Sequence, residues 1–339
     1  MVKKIAKFLL GPNMCTVLRR FINSPKKQAR PYFEYDQSRI LKFSGIFMNE
    51  SRERKLAQII ATYHVVEKGL TMPNRRFVFG VAILRDLMKL INSFVAKYGE
   101  DEPQVVHAIG VIKAYYELHL NNGIENVDGN PEFFLKLKEF LDKWPSVPIA
   151  NQIHISREEY FSARMSSFPE FASSRKTLRH YSAADLPIER IRSAVQHALN
   201  TPSACNRQHC RVYCITQQET INKALEIQKG SRGFGHLANK LLVVTSNLED
   251  VLWIGERNDA FVNGGLFLMN LCYALHWEKI AHCILNWSRT PAEDIALRKL
   301  IPLKDSETVI ALLTCGEAPE EFEIASSPRK DIDYVFEVI

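Results

Sequence analysis

No acidic residue precedes Glu34, no C-x-x-C pair occurs, and no apolar run approaches the length of a membrane span. Each absence excludes something. The seven cysteines are an odd number, and Cys210 and Cys214 have no matching second pair, so neither a zinc knuckle nor a disulfide framework is expected. Most of them sit in apolar surroundings and read as small core residues, which suits a reducing, cytoplasmic setting. The longest apolar stretch, Gly264 to Leu275, falls short of the roughly 20 residues a span needs and reads as a buried core helix. The apolar run after Lys7 is short and has no small-residue cleavage site, so a signal peptide is not expected. The net charge of +6 is concentrated at the N-terminus, where residues 1–30 carry eight basic side chains. The remainder holds 36 basic against 38 acidic residues, which argues against a nucleic-acid-binding face.

What is present describes a globular protein of more than one unit. The chain has 339 residues, 46% hydrophobic and 24% charged, enough for a real core and more than the usual single domain. Residues 1–30 form a basic amphipathic arm, with Ile5, Phe8, Leu9, Val17, Leu18, Phe21 and Ile22 spaced around a Gly11-Pro12 break. Such an arm either docks on its own protein or lies peripherally on an anionic membrane surface. Residues 31–150 read as helical: Leu56, Ile59, Tyr63, Val66 and Leu70 recur at spacings of three and four, and 79–95, 105–120 and 132–144 continue in that style. Trp144-Pro-Ser-Val-Pro148 is the predicted boundary. Beyond it, 211–216, 241–246, 280–285 and 308–314 are short runs rich in Val, Ile, Leu and Cys that predict buried strands. Helices are predicted between them over 187–199, opened by Asp185, over 261–276, opened by Asn258-Asp259, and over 291–300. This alternation predicts a sheet covered by helices on both faces, with parallel and antiparallel pairing both open.

Two segments carry candidate chemistry. In Ser174-Arg-Lys-Thr-Leu-Arg-His-Tyr181, three cations and a hydroxyl fall within five residues, a density suited to a phosphate, although a charge run is more often a solvated face. Thr201-Pro-Ser-Ala-Cys-Asn-Arg-Gln208 follows a predicted helix and precedes a strand; its small residues admit a flat ligand, and Ser203 and Asn206 offer hydrogen bonds. This ordered pair resembles the nitroreductase family, whose members open with S-R-R-S-x-R-x-F and show P-S-x-x-N-x-Q after a helix. Ser326-Ser-Pro-Arg-Lys330 is similar to that family's closing proline-arginine-lysine run.

The resemblance implies an α+β fold: a nitroreductase-like central sheet flanked by helices over 170–339, preceded by an all-helical N-terminal domain. It implies that Arg175, Lys176, Thr177 and Arg329 meet the phosphate of FMN and that Arg179 lies near the flavin N1/O2 edge. Ser203 and Asn206 would contact the ring or ribityl chain, and backbone near Leu285, Asn286 and Trp287 would face flavin N5. No side-chain acid or base is implied, because the cofactor carries the chemistry. The implied protein is a homodimer with FMN at the subunit interface. It would be an oxidoreductase using NADH or NADPH, passing hydride by ping-pong exchange to a small-molecule acceptor. The alternative is a non-catalytic flavin-binding or adaptor protein in surface-polysaccharide synthesis.

Two features depart from the family. His209-Cys210 stands where many relatives have Pro-Trp, and the helical region is additional. Within that region Tyr63-His-Val-Val-Glu-Lys-Gly-Leu70 groups His64, Glu67 and Lys68, with Gly69 placed like a helix C-cap. The group reads as a hydrogen-bonded cluster joining helices or, less simply, as a polar site for an anionic partner. Its H-x-x-E-K-G-L pattern resembles one found ahead of nitroreductase-like domains of bacterial surface-polysaccharide pathways. Lys229 to His236, with three glycines and no G-x-G-x-x-G, predicts a tight loop and no Rossmann site. Cys205 with His209 is a weaker candidate for a nucleophile and base.

Overall fold

A computed structural model of the protein describes residues 24–43, 51–124, 131–251 and 254–339. Most of the basic arm predicted over 1–30 lies outside the described residues. Among the described residues no helix is long and apolar enough to cross a membrane.

The N-terminal half is helical: Arg52–Leu70, Val81–Tyr98, Pro103–Leu120 and Pro131–Leu141 lie where the periodicity predicts helices, and a further helix, Pro25–Phe43, begins inside the predicted arm. Leu56, Ile59, Tyr63, Val66 and Leu70 are all buried, and the Val81–Tyr98 helix meets them with Leu84, Leu87, Ile91 and Phe94. The Pro103–Leu120 helix is apolar on most of its circumference and lies at the centre of this core. Gly69 is not the C-cap. The helix runs on to Leu70 and is capped by Thr71, and a Cβ at Gly69 would stand 2.1 Å from the Phe79 ring. Glycine is required there by the close packing of Phe79.

The predicted boundary belongs to the helical half. The Lys113 ammonium donates to the carbonyls of Trp144 and Val147 at 2.6 and 2.5 Å, and Ala150 N donates to Gly110 O at 3.0 Å. This segment crosses the helix at Gly110, where an added Cβ would sit 2.7 Å from the Pro148 carbonyl oxygen.

The C-terminal half is built on a four-stranded sheet: β2 (Cys210–Ile215), β3 (Lys240–Asn247), β4 (Ala281–Asn286) and β5 (Glu307–Gly316), in the order β2-β3-β5-β4. Every pairing is antiparallel, which settles the question the composition left open. Both faces are covered. Leu241 and Val243 of β3 point into a core shared with the helices Gln218–Gln228 and Pro291–Leu300. Leu242 and Val244 point into another, shared with Ile188–Ala198 and the central helix Asp259–Trp277. Burial on both faces is why these strands read as unbroken apolar runs. The fold is therefore α+β, with an all-helical N-terminal region.

A second, two-stranded sheet was not foreseen: β1 (Ile153–Ser156) pairs antiparallel with β6 (Glu321–Ile324). Each has only four residues with polar ones among them, too short for a periodic signal. The pair returns the C-terminal segment to the start of the sheet domain. One helix start also differs. Asp185 does not cap the helix Ile188–Ala198, which begins after Pro187 without a side-chain cap; its carboxylate accepts from Lys240 at 2.9 Å instead.

Gly110→Ala tests the seating of the boundary segment. The helix interior would gain about 1 kcal/mol in propensity, but the added methyl meets fixed backbone, and overpacking of this kind costs about 1–3 kcal/mol. A net loss of stability is expected, read as a lower denaturant midpoint at unchanged slope.

Candidate functional site

The segment after the helix Phe168–Ser174 is tied down at each step. Ser174 Oγ hydrogen-bonds His276 Nε2 at 2.9 Å, the Tyr160 hydroxyl donates to Lys176 O at 2.6 Å, and Leu178 N donates to His282 O at 3.2 Å. Leu178 and Tyr181 are buried, and Tyr181 reaches Thr314 Oγ1 at 2.8 Å. Leu178 is turned into the core, while its neighbours Thr177 and Arg179 line a cavity. That cavity, of about 410 Å³, is lined by Arg175, Lys176, Thr177 and Arg179 on one side and by Ser326, Ser327, Pro328, Arg329 and Lys330 on another. The remaining wall comes from the helical half: Ile60, Tyr63, His64 and Gln104.

The cavity is electropositive. Among the described residues no carboxylate pairs with Arg175, Lys176, Arg179 or Arg329; Arg329 donates only to Ser327 O, at 2.9 Å, and the Arg179 guanidinium lies 3.5 Å from His64 Nε2. The crowding has its expected effect. Burial, then the charges of Arg329 and Arg175, lower the pKa of Lys176. Burial, then Arg179, lowers that of Lys68. Unneutralised cations gathered from sequence-distant segments match an anion with several acceptor oxygens, and a phosphate monoester with its two negative charges fits that set.

Glu67 sits behind this wall, fully buried. Its carboxylate accepts from His107 Nε2 at 2.8 Å, His64 Nδ1 at 3.3 Å, Ser326 Oγ at 3.2 Å and Ser327 N and Oγ at 3.3 and 3.2 Å. Burial alone would raise its pKa, but the His107 and His64 hydrogen bonds, the His107 charge and the Ser327 amide hold it at about 2. The cluster does join helices, as the simpler sequence reading held, and it also fastens the C-terminal loop. Gln104 and His107 were missed, and Tyr63 was read only as part of the apolar stripe and motif. Their partners lie on other helices, and Gln104 and His107 stood in an apolar pattern with nothing to mark them. What the sequence did show was the grouping of His64, Glu67 and Lys68 on one helix.

The structure brings together Arg175, Lys176, Thr177, Arg179 and Arg329 but not Ser203 and Asn206, which do not line the cavity. Those two shape their own loop: Ser203 Oγ accepts from Gln208 N at 2.9 Å, and Cys205, Asn206 and Gln208 hold φ of 50°, 55° and 52°. The loop is pinned where Ala204 N donates to Asn263 Oδ1 at 3.0 Å. Asn263 and His276 lie thirteen residues apart on the central helix, so the two motifs are separated by about 20 Å within one chain. The cavity lining also excludes Leu285 and Asn286; Asn286 O accepts from Gln228 Nε2 at 2.9 Å. His209 is buried with neither ring nitrogen hydrogen-bonded, so no Cys205–His209 couple is formed.

The comparisons agree with the motif region. A model of the nitroreductase family matches residues 172–232, which contain both motifs. No curated protein matches the chain. Similar solved structures include an FMN-dependent nitroreductase from Clostridium difficile R20291, with 17% identity over 48% of this chain and 92% of that one and a TM-score of 0.40. They also include NfrA1 from B. megaterium, with 18% identity over 50% and 73% and a TM-score of 0.43. A nitroreductase family protein from Clostridium novyi NT shows 15% identity over 50% and 90%, with a TM-score of 0.39. The helical half lies outside the family match.

Behind Arg175 two buried imidazoles are held neutral. Burial, then the charges of His282 and Arg175, lowers the His276 pKa to about 3. Burial, with Arg175 adding to it, lowers that of His282 to about 4. An unfolded chain would bind these protons near 6.5, so below that pH the unfolded state binds more protons and stability falls with pH. Thermal midpoints should drop between about pH 6.5 and pH 4, and His282→Gln should make that decline shallower. An unchanged slope in the variant would remove His282 from the account.

Proposed function

We propose that the protein is an FMN-dependent oxidoreductase that takes reducing equivalents from NADH or NADPH and delivers them by ping-pong exchange to a small-molecule acceptor. One observation carries this reading: Arg175, Lys176, Thr177 and Arg329 converge, without carboxylate partners among the described residues, on one cavity. The matched family segment starts two residues before Ser174, and that match supports a flavin as the owner of the phosphate. In this reading the two guanidinium groups and the Lys176 ammonium hold the phosphate, the Thr177 hydroxyl donates to it, and Arg179 stands at the flavin ring edge. Bound FMN would supply a centre that accepts and releases hydride, a chemistry no side chain offers. The chain's own tasks are to bind, orient and exclude water. Ile60 and Tyr63 form an apolar and aromatic wall suited to the last of these.

The about 20 Å between the two motifs supports a homodimer in which a second copy brings its Ser203 and Asn206 to the cavity. The central helix exposes Phe261, Val262, Leu266 and Met269 beside that loop, and Val335, Phe336 and Val338 are exposed in the C-terminal tail. Apolar surface of this extent favours burial against a partner. The free thiols of the described cysteines suit a cytoplasmic setting. The Tyr63–Leu70 resemblance supports a place in surface-polysaccharide synthesis.

Arg329→Ala removes a charge-assisted contact worth about 1.5–3 kcal/mol, so the dissociation constant for FMN should rise about tenfold to a hundredfold, with riboflavin binding unchanged. Flavin fluorescence titration reads both, and an unaltered FMN affinity would refute the phosphate assignment. Leu266→Asp places a charge on the exposed helix face. It should yield a monomer by light scattering, with loss of bound flavin.

A further inference from the structure

We propose that Glu67 is a positioning residue for the anion site: from the helical half it anchors the Ser326–Ser327 turn and thereby presents Arg329 to the cavity. The inference rests on the flavin reading above and assigns the additional helical half a part in it.

The geometry is specific. Glu67 is fully buried, and five donors occupy it, two imidazole nitrogens from the helical half and three groups of the turn. A carboxylate has about four lone-pair sites, so its hydrogen-bonding capacity is spent on these donors and none is left to bind a ligand directly. Ser327 needs such an anchor. Its φ is 39°, a left-handed conformation uncommon for a residue with a side chain, and Pro328 follows and restricts it further. Glu67 binds both the amide and the hydroxyl of that residue. Arg329 in turn donates to Ser327 O at 2.9 Å, so its direction into the cavity is set by the anchored turn. The attachment has a second point: Arg75 pairs with Glu323 of β6 at 2.6 Å, just before the turn.

The sign of the expected effect separates this role from a simple charge effect. Glu67 places a negative charge near a site for anions, so through space its neutralisation would strengthen phosphate binding. As an anchor, its loss would weaken that binding. A Gln side chain keeps one acceptor but directs an NH₂ at donors that need an acceptor.

The test titrates the full-length protein with FMN and with riboflavin, following flavin fluorescence, for the wild type, Glu67→Gln, Arg329→Ala and the double variant. Glu67→Gln should raise the FMN dissociation constant at least tenfold and leave riboflavin within twofold. In the Arg329→Ala background it should add little, because both changes remove the same contact. Tighter FMN binding, an equal loss for both flavins, or full additivity would overturn the proposal. If Glu67→Gln does not fold, Ser327→Ala removes one of the anchoring hydroxyls and is judged by the same selectivity. A wild type that binds neither flavin would overturn the flavin reading itself, and this inference with it. A wild type that prefers FMN while Glu67→Gln keeps that preference would overturn this inference alone.

Discussion

Like charges held together without a paired carboxylate among the described residues set the terms for the rest of the molecule. Two cations about 6 Å apart repel by about 3 kcal/mol at an effective dielectric of about 20, and the cavity gathers at least four. Such a group does not assemble from a flexible chain; it has to be imposed by structure around it. Arg175 and Lys176 are imposed by the end of a helix and by Tyr160, Leu178 and Tyr181 packed against the sheet. Arg329 is imposed by the turn that Glu67 holds. An anion bound among these cations would relieve that repulsion, which suits the phosphate role proposed for the site.

This accounts for the position of the helical half. It supplies one wall of the cavity, closes the boundary segment onto itself through Lys113, and reaches the C-terminal segment through Arg75 and Glu67. The antiparallel sheet, buried on both faces, gives the rigid frame. The small β1-β6 sheet carries the C-terminal segment back to the helices.

Much of this was legible in the sequence where the signal is local. The helical stripe from Leu56 to Leu70 and the strand runs around Val243 and Leu312 follow from periodicity and from burial on both sides. Arg175, Lys176, Thr177, Arg179 and Arg329 were legible as a dense basic run and a closing motif, and the cavity contains all five. What was not legible depends on distant partners. β1 and β6 form only because each finds the other across the chain. Gly69 and Asp185 each had a sound local reading as a cap, and each was overridden by a tertiary contact, with the Phe79 ring and with Lys240. Ser203 and Asn206 show the converse limit: their motif was recognisable, but their place at the opposite end of the central helix from Arg175 is a property of the fold.

The most direct measurement is the visible absorption spectrum of the purified full-length protein, followed by anaerobic addition of NADH or NADPH. The expected result is a flavin spectrum that bleaches with one of the two nicotinamides and returns when an acceptor is supplied. A protein that carries no flavin and takes up no added FMN would contradict the account at its centre.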